Sequence, residues 1–292
     1  MPQVEGMNLA KGVRGSSERP VGIMQGRLSP RAAGRLQAFP WSSWRDEFSL
    51  AADLGFDGIE WIYEADRAAD NPLVQPEGRR AIRHAVDETG VRVLSVCGNY
   101  FMAHRLSDPG TLGEGAAGDL GRLIEMAHDV GARRILVPWL EAAALDTEGK
   151  RRTAIRNIEL ALPSAERNDV ALAIEMEIPG ADYCKVIEDI GHDLVQACYD
   201  TGNSTAAGVD VATDVVALES RLGAVHVKDR VRGGATCTLG TGDTNFSGFF
   251  AQLSRWDFRG DIVLEHFYEN PAEDASRALA FVRQVWPPKA AA

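Results

Sequence analysis

Eight short apolar runs, spaced almost evenly along 292 residues, constrain this chain more than any other feature. They are VGIMQGR (21–27), GIEWI (58–62), VRVLSVCGNY (91–100), RRILVPWLE (133–141), VALAIEME (170–177), ACYD (197–200), AVHVKDR (224–230) and DIVLEHF (261–267). They are rich in Val, Ile and Leu, as parallel strands buried on both faces must be. Their starts are about 34 residues apart on average, which is the length of one βαβ unit. Helical patterns fill the gaps: 42–55, with Ser42 or Ser43 as cap and Gly55 as stop, then 76–90 and 118–131. Another spans 153–169, where Pro163 is expected to kink or break it. Strands alternating with helices predict a parallel sheet. Eight such units fit one α/β (β/α)₈ TIM barrel. The rival, a doubly wound open sheet, would carry a G-x-G-x-x-G turn after its first strand. Residues 21–27 hold only Gly22 and Gly26. The expected organisation is an N-terminal leader over 1–20 and a single barrel domain over 21–288.

Charge narrows the partners. There are 42 acidic and 31 basic side chains, a formal charge of −11. Nucleic acid and anionic membrane surfaces need clustered Lys and Arg, so neither is an expected partner. No run approaches the ~20 apolar residues of a spanning helix, and the start has no apolar core of a secretory signal. The four cysteines, Cys97, Cys184, Cys198 and Cys237, form no C-x-x-C pair. Reduced thiols in a cytoplasmic protein are the expectation.

In a barrel the chemistry sits at the C-terminal ends of the strands. Period-two alternation sorts the polar residues found there. Glu175 and Glu177 share one face of the fifth run. His226, Lys228 and Arg230 share one face of the seventh, with Asp229 on the other. Glu265 faces opposite to His266 in the eighth. The inward set is Glu175, Asp200, His226 and Glu265, four potential ligands from four consecutive strands. Three carboxylates and an imidazole suit one divalent cation such as Mn²⁺, Mg²⁺, Co²⁺ or Zn²⁺. Without a cation, the carboxylates would repel one another in a partly dehydrated cleft.

Other strand-end residues have two readings each. Lys228 and Arg230 either bind a substrate phosphate or carboxylate, or close salt bridges with Glu177 or Asp229. Glu177 is either a substrate contact or a solvated rim charge. Gln25 and Arg27 end the first run within reach of a substrate. The Gly-rich stretch GGATCTLGTGD after the seventh run either cradles an anion on its N–H groups or forms a flexible lid.

The segments GIMQGRLSP, QAFPWSSWRDEF, LGFDGIEWI, SVCGNYFM, ILVPWLE, YDTGN, HVKDR and the LG-x-G of 239–242 carry a family resemblance. Together they resemble the sugar phosphate isomerase/epimerase family, xylose isomerase-like TIM barrels related to the ketose 3-epimerases. The resemblance implies that Glu175, Asp200, His226 and Glu265 bind one divalent metal. It also implies that Glu175 and Glu265 act as an acid/base pair on opposite faces of a ketose carbon. The proton next to the carbonyl is removed through a metal-stabilised enediolate, and the substrate is a small carbohydrate. Ketose 3-epimerases usually carry a histidine three residues after the strand-six aspartate. Here it is Asn203, which can bind a substrate oxygen but cannot act as an acid or base. A lyase or dehydratase on a sugar- or inositol-derived keto compound is the alternative using the same site. An endonuclease IV-like phosphodiesterase would need several more metal-binding histidines and a basic groove. A homodimer is the assembly left open.

Overall fold

The computed structural model describes residues 19–30, 35, 37–266 and 269–287. The expected leader lies outside the described residues up to position 18, as does the expected domain end at 288. Arg19 is described, and it is tied to the C-terminal end of the domain. Its guanidinium stacks on Trp286 at 3.9 Å and donates to the Pro287 carbonyl at 2.9 Å.

Eight parallel strands close into a barrel. They are β1 (Val21–Met24), β2 (Gly58–Ile62), β3 (Arg92–Cys97), β4 (Arg134–Pro138), β5 (Ala171–Glu175), β6 (Val195–Asp200), β7 (Leu222–Val227) and β10 (Asp261–Leu264). Each coincides with one of the eight apolar runs. The order around the barrel is β1-β10-β7-β6-β5-β4-β3-β2. A short antiparallel ribbon, β8 (Asp229–Arg230) with β9 (Thr236–Cys237), stands in the loop after β7.

The helices are α1 (Trp44–Leu54), α2 (Pro76–Thr89), α3 (Tyr100–Ala103), α4 (Thr111–Asp129) and α5 (Glu148–Asn168). After them come α6 (Gly180–Ile190), α7 (Thr201–Ala206), α8 (Val211–Asp214), α9 (Phe246–Arg255) and α10 (Pro271–Val285). Gly55 and Gly90 end α1 and α2 in the left-handed conformation, where a side chain would be strained. Ser43 holds the N-cap position of α1 but does not cap it; its hydroxyl donates to Ser29 Oγ at 2.8 Å.

Pro163 does not break α5, which runs unbroken from Glu148 to Asn168. Proline leaves the carbonyl four residues back without its helical donor. Pro163 and Glu159 are both exposed, so that carbonyl lies on the solvent-facing side of the helix.

The core is the layer between strands and helices. Trp61 of β2 is fully buried, packs on Trp44 of α1 with ring centroids 5.3 Å apart, and donates its indole N–H to Asn71 Oδ1 at 3.0 Å. Burial of an aromatic of this size is worth several kcal/mol (about 3–5 on truncation to Ala). The strand register then sets the site. Asp200 of β6 pairs with His226 of β7, and Glu175 of β5 pairs with Cys198 of β6. Glu265 follows β10 directly, its N–H donating to the Val227 carbonyl at 3.2 Å.

Candidate active site

The segment Asp200–Asn203 shows how local sequence builds the site. Asp200 Oδ1 caps α7, accepting the N–H groups of Gly202 at 2.8 Å and Asn203 at 2.9 Å. That fixes the carboxylate and turns Oδ2 toward the barrel axis. Thr201 Oγ1 donates to the Lys228 carbonyl at 2.8 Å and accepts its N–H at 3.2 Å, stapling β6 to the end of β7. Gly202 makes room: a Cβ there would lie 2.4 Å from Cγ of Lys228. Asn203 Oδ1 accepts from Arg230 at 3.4 Å.

Glu175, Asp200, His226 and Glu265 come together at the C-terminal mouth of the barrel. Each offers one ligand atom, and the four atoms lie within 4.8 Å of one another. His226 Nδ1 lies 2.9 Å from Glu265 Oε2 and 3.8 Å from Glu175 Oε1. Lys228 Nζ lies 2.7 Å from Asp200 Oδ2 and donates to Glu265 Oε2 at 3.0 Å. Asp200 Oδ2 and His226 Nδ1 are buried, and their close contacts lack hydrogen-bond geometry. A buried carboxylate oxygen and a buried ring nitrogen with no well-aligned hydrogen bond, set in a cluster of further carboxylates, are a donor set that fits a divalent cation.

Electrostatics distinguish the two glutamates. Burial, helped by the Glu265 and Asp200 charges and opposed by His226, pushes the Glu175 carboxyl up to about 8. Burial also acts on Glu265, but Lys228 and His226 outweigh it and hold this carboxyl below the usual range. Burial opposes charge on His226, yet the Glu60 and Glu265 carboxylates prevail and raise it well above the ordinary imidazole value. In the same way, Asp200 and Glu265 overcome burial at Lys228 and raise it.

The remaining candidates are arranged as follows. Arg27 lines the cleft and braces Glu265, donating from Nε to its carbonyl at 3.2 Å and from Nη2 to Gln37 Oε1 at 3.2 Å. Gln25 does not line the cleft; it is buried and accepts the Ile62 N–H at 3.0 Å, tying β1 to β2. Glu177 stands at the rim of the cleft, where burial and Asp200 raise its carboxyl while Lys228 and Arg230 pull it back. Lys228 pairs with neither Glu177 nor Asp229, because Gly202 lets its stem pass inward to Asp200 and Glu265. Arg230 is held by the Gly234 carbonyl at 2.8 Å and by Asn203.

The Gly-rich loop cradles an anion of its own chain. The N–H groups of Gly240 and Gly242 donate to Asp229 Oδ2 at 2.9 and 2.8 Å, and that of Thr244 to Oδ1 at 3.2 Å. Asp229 is fully buried, so this loop is anchored to β8, just after β7. The cleft above the cluster has a volume of about 1310 Å³, with Met102, Pro138, Leu140 and Leu239 among its apolar walls.

Sequence reasoning missed Glu60. It lies in β2, is 1% exposed, and accepts from His226 Nε2 at 2.9 Å and from Ser95 Oγ at 2.6 Å. The signal was present: one carboxylate in the middle of the apolar run GIEWI, with Ile59 and Trp61 on the opposite face.

Comparison with known proteins agrees with this architecture. The family model described as xylose isomerase-like TIM barrel matches residues 48–285. The L-ribulose-5-phosphate 3-epimerase UlaE of Salmonella typhi is 29% identical over 255 residues, covering 82% of this chain and 89% of that protein. Among solved structures, the apo 3-keto-D-glucoside 4-epimerase YcjR from E. coli superposes with a TM-score of 0.70 at 21% identity, over 91% of this chain and 99% of the other. The D-psicose 3-epimerase from Clostridium cellulolyticum H10, solved with D-tagatose, gives 0.74 at 15% identity, over 91% and 99%. At these identities the two structures speak for the fold.

Proposed function

The chain belongs to the xylose isomerase-like TIM barrel family, and on that premise we propose that it is a divalent-metal-dependent sugar epimerase or isomerase. One observation carries the reading: Glu175, Asp200, His226 and Glu265 each offer a ligand atom within 4.8 Å of the others, and Glu175 and Glu265 line the cleft above them. The curated relatives, named as sugar-phosphate 3-epimerases, support the same reaction class.

These four residues would hold the cation, with Mn²⁺ the first candidate. When bound, it supplies positive charge for the anion that develops on a substrate carbonyl oxygen. The protein's own residues do the rest. Glu175 and Glu265 stand at the outer ends of a four-strand arc, with Asp200 and His226 between them. One carboxylate removes the proton next to the carbonyl, and the other returns a proton from the opposite face, which inverts the carbon. The unlike environments of the two glutamates suit this division. Lys228 adds a fixed positive charge beside Glu265. Glu177, Asn203 and Arg230 line the path for substrate hydroxyls, and Arg27 keeps Glu265 in place through its carbonyl.

The test is incubation with ketoses and ketose phosphates in D₂O with added Mn²⁺. The reading expects deuterium at a single carbon, no mass change beyond that gain, and arrest by EDTA. Loss of water or of a carbon-linked group would instead identify a lyase. Full exchange in a metal-free preparation would overturn the cation requirement.

A further inference from the structure

Glu60 never meets the cleft. It sits on β2, is 1% exposed, and spends both carboxylate oxygens on protein partners. β2 and β7 are not neighbours; β1 and β10 lie between them in the closed barrel. Even so, Glu60 Oε1 lies 2.9 Å from His226 Nε2 across the barrel interior, and Ser95 Oγ on β3 holds Oε2 at 2.6 Å. A buried carboxylate is expensive unless it is fully satisfied, and both oxygens of Glu60 are satisfied by these two contacts.

We infer that Glu60 is a positioning residue that fixes the tautomer and ring orientation of His226, presenting Nδ1 as a lone-pair donor to the cation site. The chemistry follows from the inventory of donors. A carboxylate only accepts, so the contact places the proton of His226 on Nε2. Nδ1 then faces Glu175, Glu265 and Oδ2 of Asp200, which it shares with the Lys228 ammonium, as a further acceptor. Such a gathering of acceptors is the environment of a cation. The partner on the far nitrogen both aims the ring and raises its strength as a ligand. Ser95 extends the chain by one link, aligning Glu60.

This inference rests on the reading of Glu175, Asp200, His226 and Glu265 as ligands. The experiment titrates apo protein with Co²⁺ alone, following its visible absorption. It compares wild type with Glu60→Gln, Glu60→Ala and Ser95→Ala, each checked for folding by circular dichroism. A second readout is the ¹⁵N signal of His226 in Zn²⁺-loaded protein, assigned by its loss in His226→Asn. The Co²⁺ dissociation constant is expected to rise about 10–100-fold in Glu60→Ala, by a smaller factor in Glu60→Gln and by the least in Ser95→Ala. The wild-type spectrum is expected to show Nε2 protonated and Nδ1 not. If Glu60→Ala fails to fold, the isosteric Gln variant and Ser95→Ala carry the comparison. Dissociation constants of all folded variants within twofold of wild type, or a wild-type His226 protonated on Nδ1, overturn the inference. Wild type that takes up no Co²⁺ overturns the ligand reading itself, and the inference with it.

Discussion

Lys228 places its ammonium nitrogen 2.7 Å from Asp200 Oδ2, inside the carboxylate cluster rather than at its rim. The ammonium therefore shares its carboxylates with any cation that binds there. Lys228→Met is expected to bind a divalent cation more tightly, by about tenfold, because a like charge a few ångströms away is worth a few kcal/mol before screening. Turnover is expected to fall in the same variant, because a positive charge is lost where substrate charge develops. Calorimetric titration with Mn²⁺ beside initial rates checks both. Weaker metal binding in Lys228→Met would contradict the shared-carboxylate account.

Gly202 is what lets that lysine pass. A Cβ would meet the Lys228 side chain at 2.4 Å and its carbonyl at 3.1 Å, neither of which is a flexible chain end. Gly202→Ala is expected to cost about 1–3 kcal/mol as overpacking and to lower turnover by at least tenfold. Thermal unfolding and rates together check this. An alanine variant with unchanged kinetics would show that the position of Lys228 does not matter.

Metal uptake is expected to depend on pH. Burial pushes the Glu175 carboxyl up to about 8, and the Glu60 and Glu265 carboxylates raise His226 well above its ordinary value. Both must lose their protons to act as ligands, so protons compete with the cation. Apparent affinity should rise from pH 6.5 to pH 8.5, with proton release on binding. Isothermal titration in buffers of different ionisation enthalpy measures the release. Affinity that is flat across this range would contradict the expectation.

Glu47 gives a pH signature that is independent of the cluster. Its carboxylate accepts the N–H groups of Gly26 and Leu28 beneath the loop after β1. Burial raises its carboxyl from 4.5 to about 7, against those hydrogen bonds. A raised carboxyl favours the folded state when protonated, so its contribution is full below pH 4.5 and is lost as pH rises to about 7. The loss is on the order of 3 kcal/mol. Glu47→Gln resembles the protonated form. Its melting temperature relative to wild type should therefore be higher at pH 8 than at pH 5. A difference that does not vary with pH would contradict this.

Much of the fold was readable because burial on two faces leaves continuous apolar runs, and their even spacing leaves little choice of topology. The inward set Glu175, Asp200, His226 and Glu265 was readable for a related reason: alternation decides faces, and barrel ends decide location. Tertiary partners were not readable. The reach of Lys228 to Asp200 depends on the absence of a side chain at Gly202, one helix-and-strand unit earlier in the sequence. Asp229 takes the N–H groups of the Gly-rich loop, which the sequence alone left open to a substrate anion. Glu60 meets His226 across 166 residues of chain, and only barrel closure brings them together. Pro163 shows the converse: its rule is local, but its cost depends on which face of α5 meets water.

The most direct test of the acid/base pair is deuterium exchange by Glu175→Gln and Glu265→Gln in Mn²⁺-supplemented D₂O, with a ketose substrate that wild type accepts. Each variant is expected to keep a folded barrel by circular dichroism. Each should lose interconversion of epimers by a factor of about 10²–10⁴, the usual weight of a general acid or base. Undiminished interconversion in both variants would contradict the assignment of Glu175 and Glu265 as the groups that move the proton.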